Sequence, residues 1–218
     1  MISPEISPGI FTLEIEGQKR LATRSNDAVP VYGERILESF RLWDPFRSKL
    51  AALLLKSHST MPSLARDARV LYLGAATATT VSHVSDIVRD GLVYAVEFSP
   101  RSMRDLVRLC ERRNNIVPIL ADAARPEEYA SLLEPVDLVY QDVSQRNQAE
   151  IACRNCDRYL KPCGKLILML KTRSVDVNAS PQAVLQEQIK KLQGLDLIPA
   201  LDLLPFHQDH FAISGKKC

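Results

Sequence analysis

Long apolar segments are missing from this chain of 218 residues. A membrane-spanning helix needs roughly 20 predominantly apolar residues in succession, whereas the apolar stretch at residues 50–55 is short and is typical of a core helix. The first residues have neither the basic start nor the apolar stretch of a secretory signal. We therefore expect no membrane span and a cytoplasmic location.

Cysteine is scarce, and its total of five is an odd number. An odd count, together with the expected reducing compartment, argues against a disulfide framework. Cys153, Cys156 and Cys163 resemble part of a zinc site, but no fourth ligand follows at a suitable spacing. We therefore expect free thiols and no metal ion.

An excess of charge of one sign is also missing, since 28 basic and 26 acidic residues leave a net charge of +2. Tight autonomous binders of nucleic acid carry a dense cationic face, so that class is disfavoured, although a local basic patch is compatible with the total. Arg101, Arg104, Arg108 and Arg112 recur at roughly helical spacing, with Arg113 adjacent. We expect a solvated helix face here, with contact to RNA phosphates as the alternative.

What is present is the composition of a globular protein, with 46% hydrophobic and 25% charged residues. Near-continuous apolar runs alternate with helical patterns, which predicts a doubly wound α/β fold with a parallel sheet covered on both faces. The predicted strands are Arg69–Leu73, 92–98, Ile116–Leu120, 136–140 and 165–170, with closing strands at 196–203 and 210–214. Pro199 and Pro205 favour an edge position for the first closing strand.

In the N-terminal part of the chain, apolar and polar residues alternate with the period of two that is typical of a half-buried strand. Phe11, Leu13 and Ile15 alternate with polar residues, and Gly17 and Gln18 supply a turn before a returning strand at residues 19–23. We predict a small β unit within residues 1–40, centred on 10–31, and a doubly wound domain over 41–218.

Small or polar residues follow the predicted strands, at the edge where doubly wound sheets bind their ligands. A small-residue turn begins at Gly74 and leads into a helix N-terminus, whose free N–H groups suit a nucleotide-type ligand. At the second strand end, Glu97 can accept hydrogen bonds from ribose hydroxyls. The later strand ends carry Asp122, Asp142 with Gln145, and Lys171. Each residue alone is compatible with an ordinary turn or a solvated side chain, but their convergence predicts one ligand site.

Longer runs of sequence make the prediction specific. They are VYGERI at 31–36, WDPFRSKLAA at 43–52, LYLGAATATTVSHVSDIV at 71–88, VEFSPR at 96–101, RRNNIVPILADA at 112–123, QDVSQ at 141–145, LKTRSVDV at 170–177 and DHFAI at 209–213. In order and spacing they resemble the fibrillarin family over nearly the whole chain. The Gly/Arg-rich extension of the eukaryotic members is missing, so the resemblance is to the archaeal form.

The resemblance implies an S-adenosylmethionine-dependent methyltransferase with a Rossmann-like sheet and a small N-terminal β unit. The implied activity is 2′-O-methylation of ribose in RNA. Besides the turn at Gly74, the implied cofactor contacts are Thr79, Thr80, Glu97, Phe98, Asp122, Ala123, Asp142 and Gln145. The implied catalytic set is Lys49, Asp142, Lys171 and His210.

The implied reaction assigns roles to this set. The cofactor supplies a reactive methyl group, so the protein has to align the reactants and manage the proton of a ribose 2′-OH. Lys171 is expected to take that proton or to stabilise the alkoxide, and Asp142 to orient Lys171. Lys49 is expected to hold the substrate or the carboxylate, and His210 to complete the hydrogen-bond set. Taken singly, Lys49 is equally a surface lysine and His210 a locally bonded histidine.

The family also implies partners and leaves two alternatives open. The implied assembly is a C/D-box guide ribonucleoprotein with a Nop-family scaffold protein, a kink-turn-binding protein, a guide RNA and a target rRNA or tRNA. One alternative is a methyltransferase of a non-RNA substrate on the same fold. The other is a catalytically weak scaffold subunit, because Thr77 and Ala78 replace a serine and a glycine that are usual in the family. Ala78 is tolerable only if its φ is negative and its methyl group does not crowd the ligand.

Overall fold

Two β-sheets form the framework of the computed structural model, which describes residues 2–25, 27–57, 64–76 and 78–218. The smaller sheet comes first in the chain and is antiparallel, with the strand order β1-β2-β3-β5-β4. Its strands are β1 (Ile2–Ser7), β2 (Ile10–Ile15), β3 (Gln18–Arg24), β4 (Ile36–Leu37) and β5 (Phe40–Leu42).

The predicted N-terminal hairpin is confirmed, because β2 and β3 pair throughout their common length. The turn consists of Glu16 and Gly17 and not of Gly17 and Gln18 as predicted, because Gln18 already pairs with Ile15. The φ values of 52° and 74° are the left-handed conformation that a two-residue hairpin turn requires. The sequence pattern does not predict the other three strands, since β4 and β5 are too short for an alternation and β1 contains a proline. β5 ends at Leu42, so the sheet reaches past the boundary predicted at residue 40.

The larger sheet has eight strands in the order β11-β13-β10-β9-β6-β7-β8, with β12 also paired to β13. Its strands are β6 (Arg69–Leu73), β7 (Leu92–Glu97), β8 (Ile116–Leu120), β9 (Val136–Gln141), β10 (Leu160–Lys171), β11 (Leu195–Leu197), β12 (Leu201–Asp202) and β13 (His210–Lys217). Strands β6 to β10 are parallel, whereas β13 runs antiparallel to β10. The five predicted central strands are confirmed, although β10 begins earlier than expected.

The prediction of one continuous closing strand at residues 196–203 is wrong. It consists of two short strands, β11 and β12, and both pair with β13. Pro199 lies in the gap between them, where its missing N–H cannot contribute to a ladder. β11 is at the edge of the sheet, as the prolines predict.

Helices cover both faces of the larger sheet. They are α1 (Lys49–Lys56), α2 (Thr79–Ile87), α3 (Pro100–Cys110), α4 (Gln148–Tyr159), α5 (Thr172–Val175) and α6 (Pro181–Lys191), with a 3₁₀ segment at Pro126–Leu132. Alternate residues of β6 enter two separate cores, Val70 and Tyr72 on the side of α1 to α3, and Leu71 and Leu73 on the side of α4 and α6. Burial on both faces is why this strand is a continuous apolar run.

A network of buried charges joins the two sheets. Arg41 on β5 has a fully buried side chain, which pairs with Glu34 and, at 2.8 Å from Nη1 to Oδ2, with Asp86 on α2. Arg113, which follows α3, pairs with the other oxygen of Asp86 and with Asp27. The prediction that Arg113 shares a solvated face is therefore wrong, because acidic partners allow its guanidinium to be fully buried. Arg101, Arg104, Arg108 and Arg112 are exposed as predicted.

The order of the parallel strands reverses between β6 and β9. At such a switch point the loops after neighbouring strands diverge and leave a crevice at the carboxyl end of the sheet. The segments that follow β6, β7, β8 and β9 all open at this edge, and α1 begins beside it.

Candidate active site

An ion pair lies at the edge of this crevice. The amine of Lys49 donates to both carboxylate oxygens of Asp142, at 2.9 and 2.8 Å. Both side chains are about one-fifth exposed, at 21% and 20%, so the pair is sheltered and still reachable from solvent. Asp142 follows β9, and its backbone N–H donates to the carbonyl of Leu73 at 2.8 Å, which fixes it beside the end of β6.

Lys49 is held by the start of α1. Ser48 is the N-cap of this helix, and its side chain accepts a hydrogen bond from the N–H of Ala51. The same hydroxyl also accepts from Thr80, at 2.9 Å. Because Ser48 and Thr80 are both buried, the N-termini of α1 and α2 are tied together directly behind the ion pair.

His210 and Lys171 occupy the neighbouring strand ends. They lie opposite each other in the β10–β13 ladder. His210 Nδ1 is 2.6 Å from the carbonyl oxygen of Gln208; because a carbonyl only accepts, Nδ1 carries the hydrogen and Nε2 keeps a lone pair when the ring is neutral. Burial and then the ammonium of Lys49 lower the pKa of His210, against the opposing effects of the Gln208 carbonyl and of Asp142.

The expected contact between Asp142 and Lys171 is not found among the described residues. Both oxygens of Asp142 are taken by Lys49, and the described residues contain no hydrogen bond between Asp142 and Lys171. Lys171 is instead fixed through its backbone, since its N–H and carbonyl bond to the side chain of Gln148 at 2.9 and 3.1 Å. Of the two roles expected for Lys49, the structure shows the one in which it holds the carboxylate.

His207 is a functional candidate that the sequence did not indicate. Its Nε2 lies 2.8 Å from the carbonyl of Pro45, so it joins the loop before β13 to the segment before α1. Its ring is 5.9 Å from that of His210. Burial, followed by the charge of Lys49, lowers its pKa. A motif-based search has no signal for His207, because its bonding partner is distant in the chain.

The remaining histidines have other surroundings. His83 is fully buried, with Nδ1 at 2.8 Å from the hydroxyl of Thr23 and Nε2 at 2.7 Å from that of Tyr32. Burial lowers the pKa of His83 well below its ordinary value. This ring supports the contact between the smaller sheet and α2. His58 lies outside the described residues.

A cavity of about 470 Å³ opens next to the ion pair. Seven of the predicted cofactor residues line it: Gly74, Glu97, Phe98, Asp122, Ala123, Asp142 and Gln145. Thr79 and Thr80 are at the start of α2 and are not part of this lining, and the hydroxyl of Thr80 is bonded to Ser48. Asp142 therefore contacts both the cavity and Lys49.

Two carboxylates of the cavity, those of Glu97 and Asp122, are held in place by hydrogen bonds from neighbouring donors. Glu97 receives the N–H of Ala76 on one oxygen and the N–H of Ser99 on the other, each at 2.7 Å. Asp122 Oδ1 receives Gln145 Nε2 and the N–H of Ala124, both at 2.9 Å. Burial raises the pKa of Asp122, but these two donors and Arg125 outweigh burial, and the net pKa is lowered.

Comparison with known proteins identifies the family. The sequence model of the family named Fibrillarin matches residues 2–218. A relative from Methanothrix thermoacetophila, named fibrillarin-like rRNA/tRNA 2′-O-methyltransferase, is 51% identical over 98% of this chain and 98% of its own length.

The chain belongs to the fibrillarin family.

Solved fibrillarin structures agree with this membership. One, of a complex between fibrillarin and Nop5p, has a TM-score of 0.92 at 41% identity and covers 99% of this chain and 100% of that one. Another, of Aeropyrum pernix fibrillarin with natively bound S-adenosyl-L-methionine, has a TM-score of 0.88 at 41% identity, over 99% of this chain and 97% of that one. The predicted fold class, a Rossmann-like methyltransferase sheet with a small N-terminal sheet, is thereby confirmed.

The cavity of this protein fits S-adenosylmethionine in size and in chemistry. Its volume is within the range of about 300–1,000 Å³ that is usual for small-molecule sites. Glu97 and Asp122 offer carboxylate lone pairs for ribose hydroxyls and an exocyclic amine. Phe98, which is 72% exposed, presents an aromatic ring at the rim, and Gln145 Oε1 is buried without a partner among the described residues. Unused acceptors beside an aromatic ring suit a nucleoside with amino groups.

The surroundings of Gly74 explain why this position is a glycine. Its φ is 85°, and a Cβ built there would lie 2.3 Å from the carbonyl oxygen of Asp142. Any side chain would thus push Asp142 away from the end of β6. The glycine is required for the close approach of two protein segments, and it also lines the cavity.

Ala78 departs from the family pattern without entering the cavity. Its φ of 68° is left-handed, so the expected condition of a negative φ is not met. However, the residue is buried in the apolar core that contains Val81 and Val84, and it is not part of the cavity lining. The methyl group therefore belongs to the core and not to the wall of the cavity. Thr77 lies outside the described residues.

The cysteines form no disulfide among the described residues. All five cysteines are free, with Cys156 buried and Cys163 exposed. Within the described residues no group of side chains is suited to a metal ion. The same residues contain no helix that is long and apolar enough to span a membrane.

Proposed function

We propose that this protein transfers the methyl group of S-adenosylmethionine to the 2′-oxygen of a ribose in RNA, with Lys49, Asp142, Lys171 and His210 as its catalytic set. One observation carries the assignment of the residues. Asp142 lines the cofactor cavity and at the same time holds the amine of Lys49 with both of its oxygens. A cationic group is thereby fixed at the boundary between the donor and the open side of the site.

The protein has three tasks around this boundary. S-adenosylmethionine, when bound, supplies a methyl group that is already activated. The residues of the chain must place the ribose oxygen in line with it, hold that oxygen as charge develops, and remove its proton. The ammonium of Lys49 is fixed by Asp142 and is suited to the second task. Lys171, at the neighbouring strand end, is suited to the same task as a second cation.

For the proton we assign His210 rather than Lys171. The Nδ1–H of His210 is engaged by the Gln208 carbonyl, and its Nε2 has no hydrogen-bond partner among the described residues, as a histidine base requires. Its lowered pKa keeps the ring neutral at physiological pH, so the lone pair is available. The role expected for Lys171 from the sequence is thereby limited to stabilising the alkoxide.

The partners follow from the relatives and from the charge of the chain. A Nop-family protein is the partner of the fibrillarin in the complex with Nop5p, and we assign a partner of this kind to this chain. The guide RNA, the kink-turn-binding protein and the rRNA or tRNA targets are part of the same proposal. A net charge of +2 supports it, because a weakly charged enzyme needs other molecules to hold its RNA.

Reconstitution with a C/D-box guide RNA and both partner proteins tests the function. We expect one methylated ribose, at the position that the guide defines, and no transfer when the guide is replaced by one of unrelated sequence. Guide-independent methylation, or methylation of protein in the mixture, would refute the proposal.

The variant Lys171→Ala tests the assignment of roles in the same assay. We expect a large loss of transfer because the developing alkoxide loses a cation, while calorimetry with S-adenosylmethionine gives a nearly unchanged affinity. Equal losses of transfer and of cofactor affinity would place Lys171 in the cofactor site instead.

A further inference from the structure

A hydrogen bond of His207 joins two separate parts of the chain that carry catalytic residues. Lys49 begins α1, and the segment before it contains Pro45, whereas His210 begins β13 directly after the loop that contains His207. Nε2 of His207 lies 2.8 Å from the carbonyl oxygen of Pro45. Because a carbonyl only accepts, Nε2 carries a hydrogen and donates it. The bond therefore links the loop that leads to the proposed base with the segment that leads to the catalytic lysine.

The loop at residues 203–210 is shaped mainly by its own backbone. The N–H of Leu203 donates to the carbonyl of His210 at 3.0 Å, and the N–H of His207 donates to the carbonyl of Leu203 at 3.1 Å. These bonds close the loop, but they do not place it relative to α1. Its position beside Lys49 must come from contacts that cross to the segment before α1.

Two contacts cross at this place. One is the bond from His207 to Pro45, and the other is an edge-to-face contact between the rings of Phe46 and Phe206, with 5.1 Å between their centroids. The ring contact keeps the two segments together. A hydrogen bond is stricter, because it weakens steeply outside a narrow range of distance and angle. The bond of His207 is therefore the contact that can fix the loop with the precision that a reaction needs.

His207 also lies against the catalytic groups themselves. Its ring meets that of His210 edge to face, with 5.9 Å between the centroids. Burial and then the charge of Lys49 lower the pKa of His207, and the charge of Asp142 opposes them, so both members of the ion pair act on this ring. The ring is thus in contact with the proposed base and within electrostatic reach of the ion pair.

We propose that His207 is a positioning residue, whose hydrogen bond to Pro45 sets the placement of His210 relative to the catalytic ion pair. The inference rests on the proposed function, because it takes His210 as the base and Lys49 as a cation at the developing alkoxide. The base and the cation must both reach the same ribose oxygen while that oxygen is in line with the methyl donor. His207 itself moves no proton, since its Nε2–H is engaged by Pro45.

Three substitutions of His207 separate its hydrogen bond from its volume. His207→Gln keeps an N–H donor for Pro45, His207→Leu keeps much of the volume without a donor, and His207→Ala loses both. The assay is single-turnover transfer in the assembled complex with guide RNA, both partner proteins, and saturating S-adenosylmethionine and target RNA. We expect a rate close to that of the wild type for the Gln variant, and about 10–100-fold lower rates for the other two, because small misplacements of reacting groups cost this much.

The parameter that changes distinguishes positioning from binding and from folding. For the Leu and Ala variants we expect an unchanged affinity for S-adenosylmethionine by calorimetry, because His207 is not part of the cavity lining. The target concentration that gives the half-maximal rate should also stay the same, since guide pairing retains the RNA. The loss should therefore lie in the maximal rate alone.

Lys56→Met is the matched control. The Lys56 amine donates to the carbonyl of Leu204, so it ties the same loop to the other end of α1. That end is about 10 Å along the helix axis from Lys49. Removing this bond should leave the rate of transfer unchanged, because it does not place His210.

Each outcome decides between the claims. If the wild type methylates guided RNA and the Leu and Ala variants keep its rate, the inference is overturned and the proposed function stands. Equal losses for all three substitutions of His207, or a similar loss for Lys56→Met, would also overturn it, because the bond to Pro45 would then not explain the effect. If the complete wild-type complex transfers no methyl group, the proposed function fails, and the inference fails with it.

Discussion

At the scale of single residues, His210 has a fixed donor and, in the part of the chain that the structure describes, an acceptor without a partner. The carbonyl of Gln208 accepts its Nδ1–H at 2.6 Å, which leaves Nε2 for the ribose proton. Burial and the charge of Lys49 lower its pKa below the ordinary 6.5. As the pH falls through this lowered value the ring gains a proton and loses its lone pair, so the rate should decline only below about pH 6.5.

The pH profile of single-turnover transfer checks this assignment. We expect His210→Asn to lower the rate by about 10²–10⁴-fold and to remove the acidic limb, because Asn has no titrating lone pair. His207→Gln is the matched control, since a Gln amide can still donate to Pro45, and it should keep the limb. A profile in which His207→Gln removes the limb and His210→Asn retains it would show that the roles are reversed.

Residue types at strand ends predict much of the cofactor cavity, because the carboxyl ends of parallel strands meet at one edge. Glu97, Asp122 and Asp142 could therefore be assigned to one site from the sequence. The pairing of Lys49 with Asp142 could not be derived in this way, since 93 residues separate them and only the family resemblance relates the two. Neither the residue types at strand ends nor the family resemblance indicated His207, because its bond to Pro45 depends on the packing of two loops.

At the scale of elements, the turn from β6 into α2 could be predicted from the sequence only in part. Patterns of apolar residues predict β6 and α2, but they do not show the direction of a single methyl group. Ala78 has a left-handed φ of 68°, and its methyl group is in the core. The turn therefore tolerates alanine because the side chain points away from the cavity, and not because the backbone is relaxed.

The variant Ala78→Gly tests this explanation. We expect an unchanged affinity for S-adenosylmethionine by calorimetry, because the methyl group is not part of the cavity lining. The alternative of a subunit weakened by Ala78 predicts that the glycine restores binding. A marked gain in affinity for Ala78→Gly would therefore mean that the methyl group does hinder the cofactor.

Short and irregular elements were the ones that the sequence did not predict. β4 and β5 have only two and three residues, too few for a period to be recognised. They matter nonetheless, since β5 carries Arg41 into the buried network and fixes the smaller sheet against α2.

At the scale of the whole molecule, Asp86 connects the two sheets. Its side chain is fully buried and balances Arg41 and Arg113, which are also fully buried. Asp86→Ala should lower the free energy of unfolding by about 3–5 kcal/mol, because it leaves buried guanidinium groups without their partner. Chemical denaturation followed by circular dichroism measures this difference.

Asp90→Ala is the control for that measurement. Asp90 pairs with Arg66 at 3.1 Å, but the two side chains are 60% and 58% exposed. Water and salt screen such a pair, so the loss should be about 0–1 kcal/mol. Similar losses for the two variants would mean that the buried network does not stabilise the contact between the sheets.

The most direct test of ribose methylation by this site compares two RNA targets in the reconstituted complex. They have the same sequence and the same guide pairing, and they differ only in a single 2′-deoxy substitution at the target nucleotide. We predict stoichiometric methyl transfer to the first target and none to the second, because the acceptor oxygen is missing. Undiminished transfer to the deoxy target would contradict the assignment of the 2′-oxygen as the acceptor.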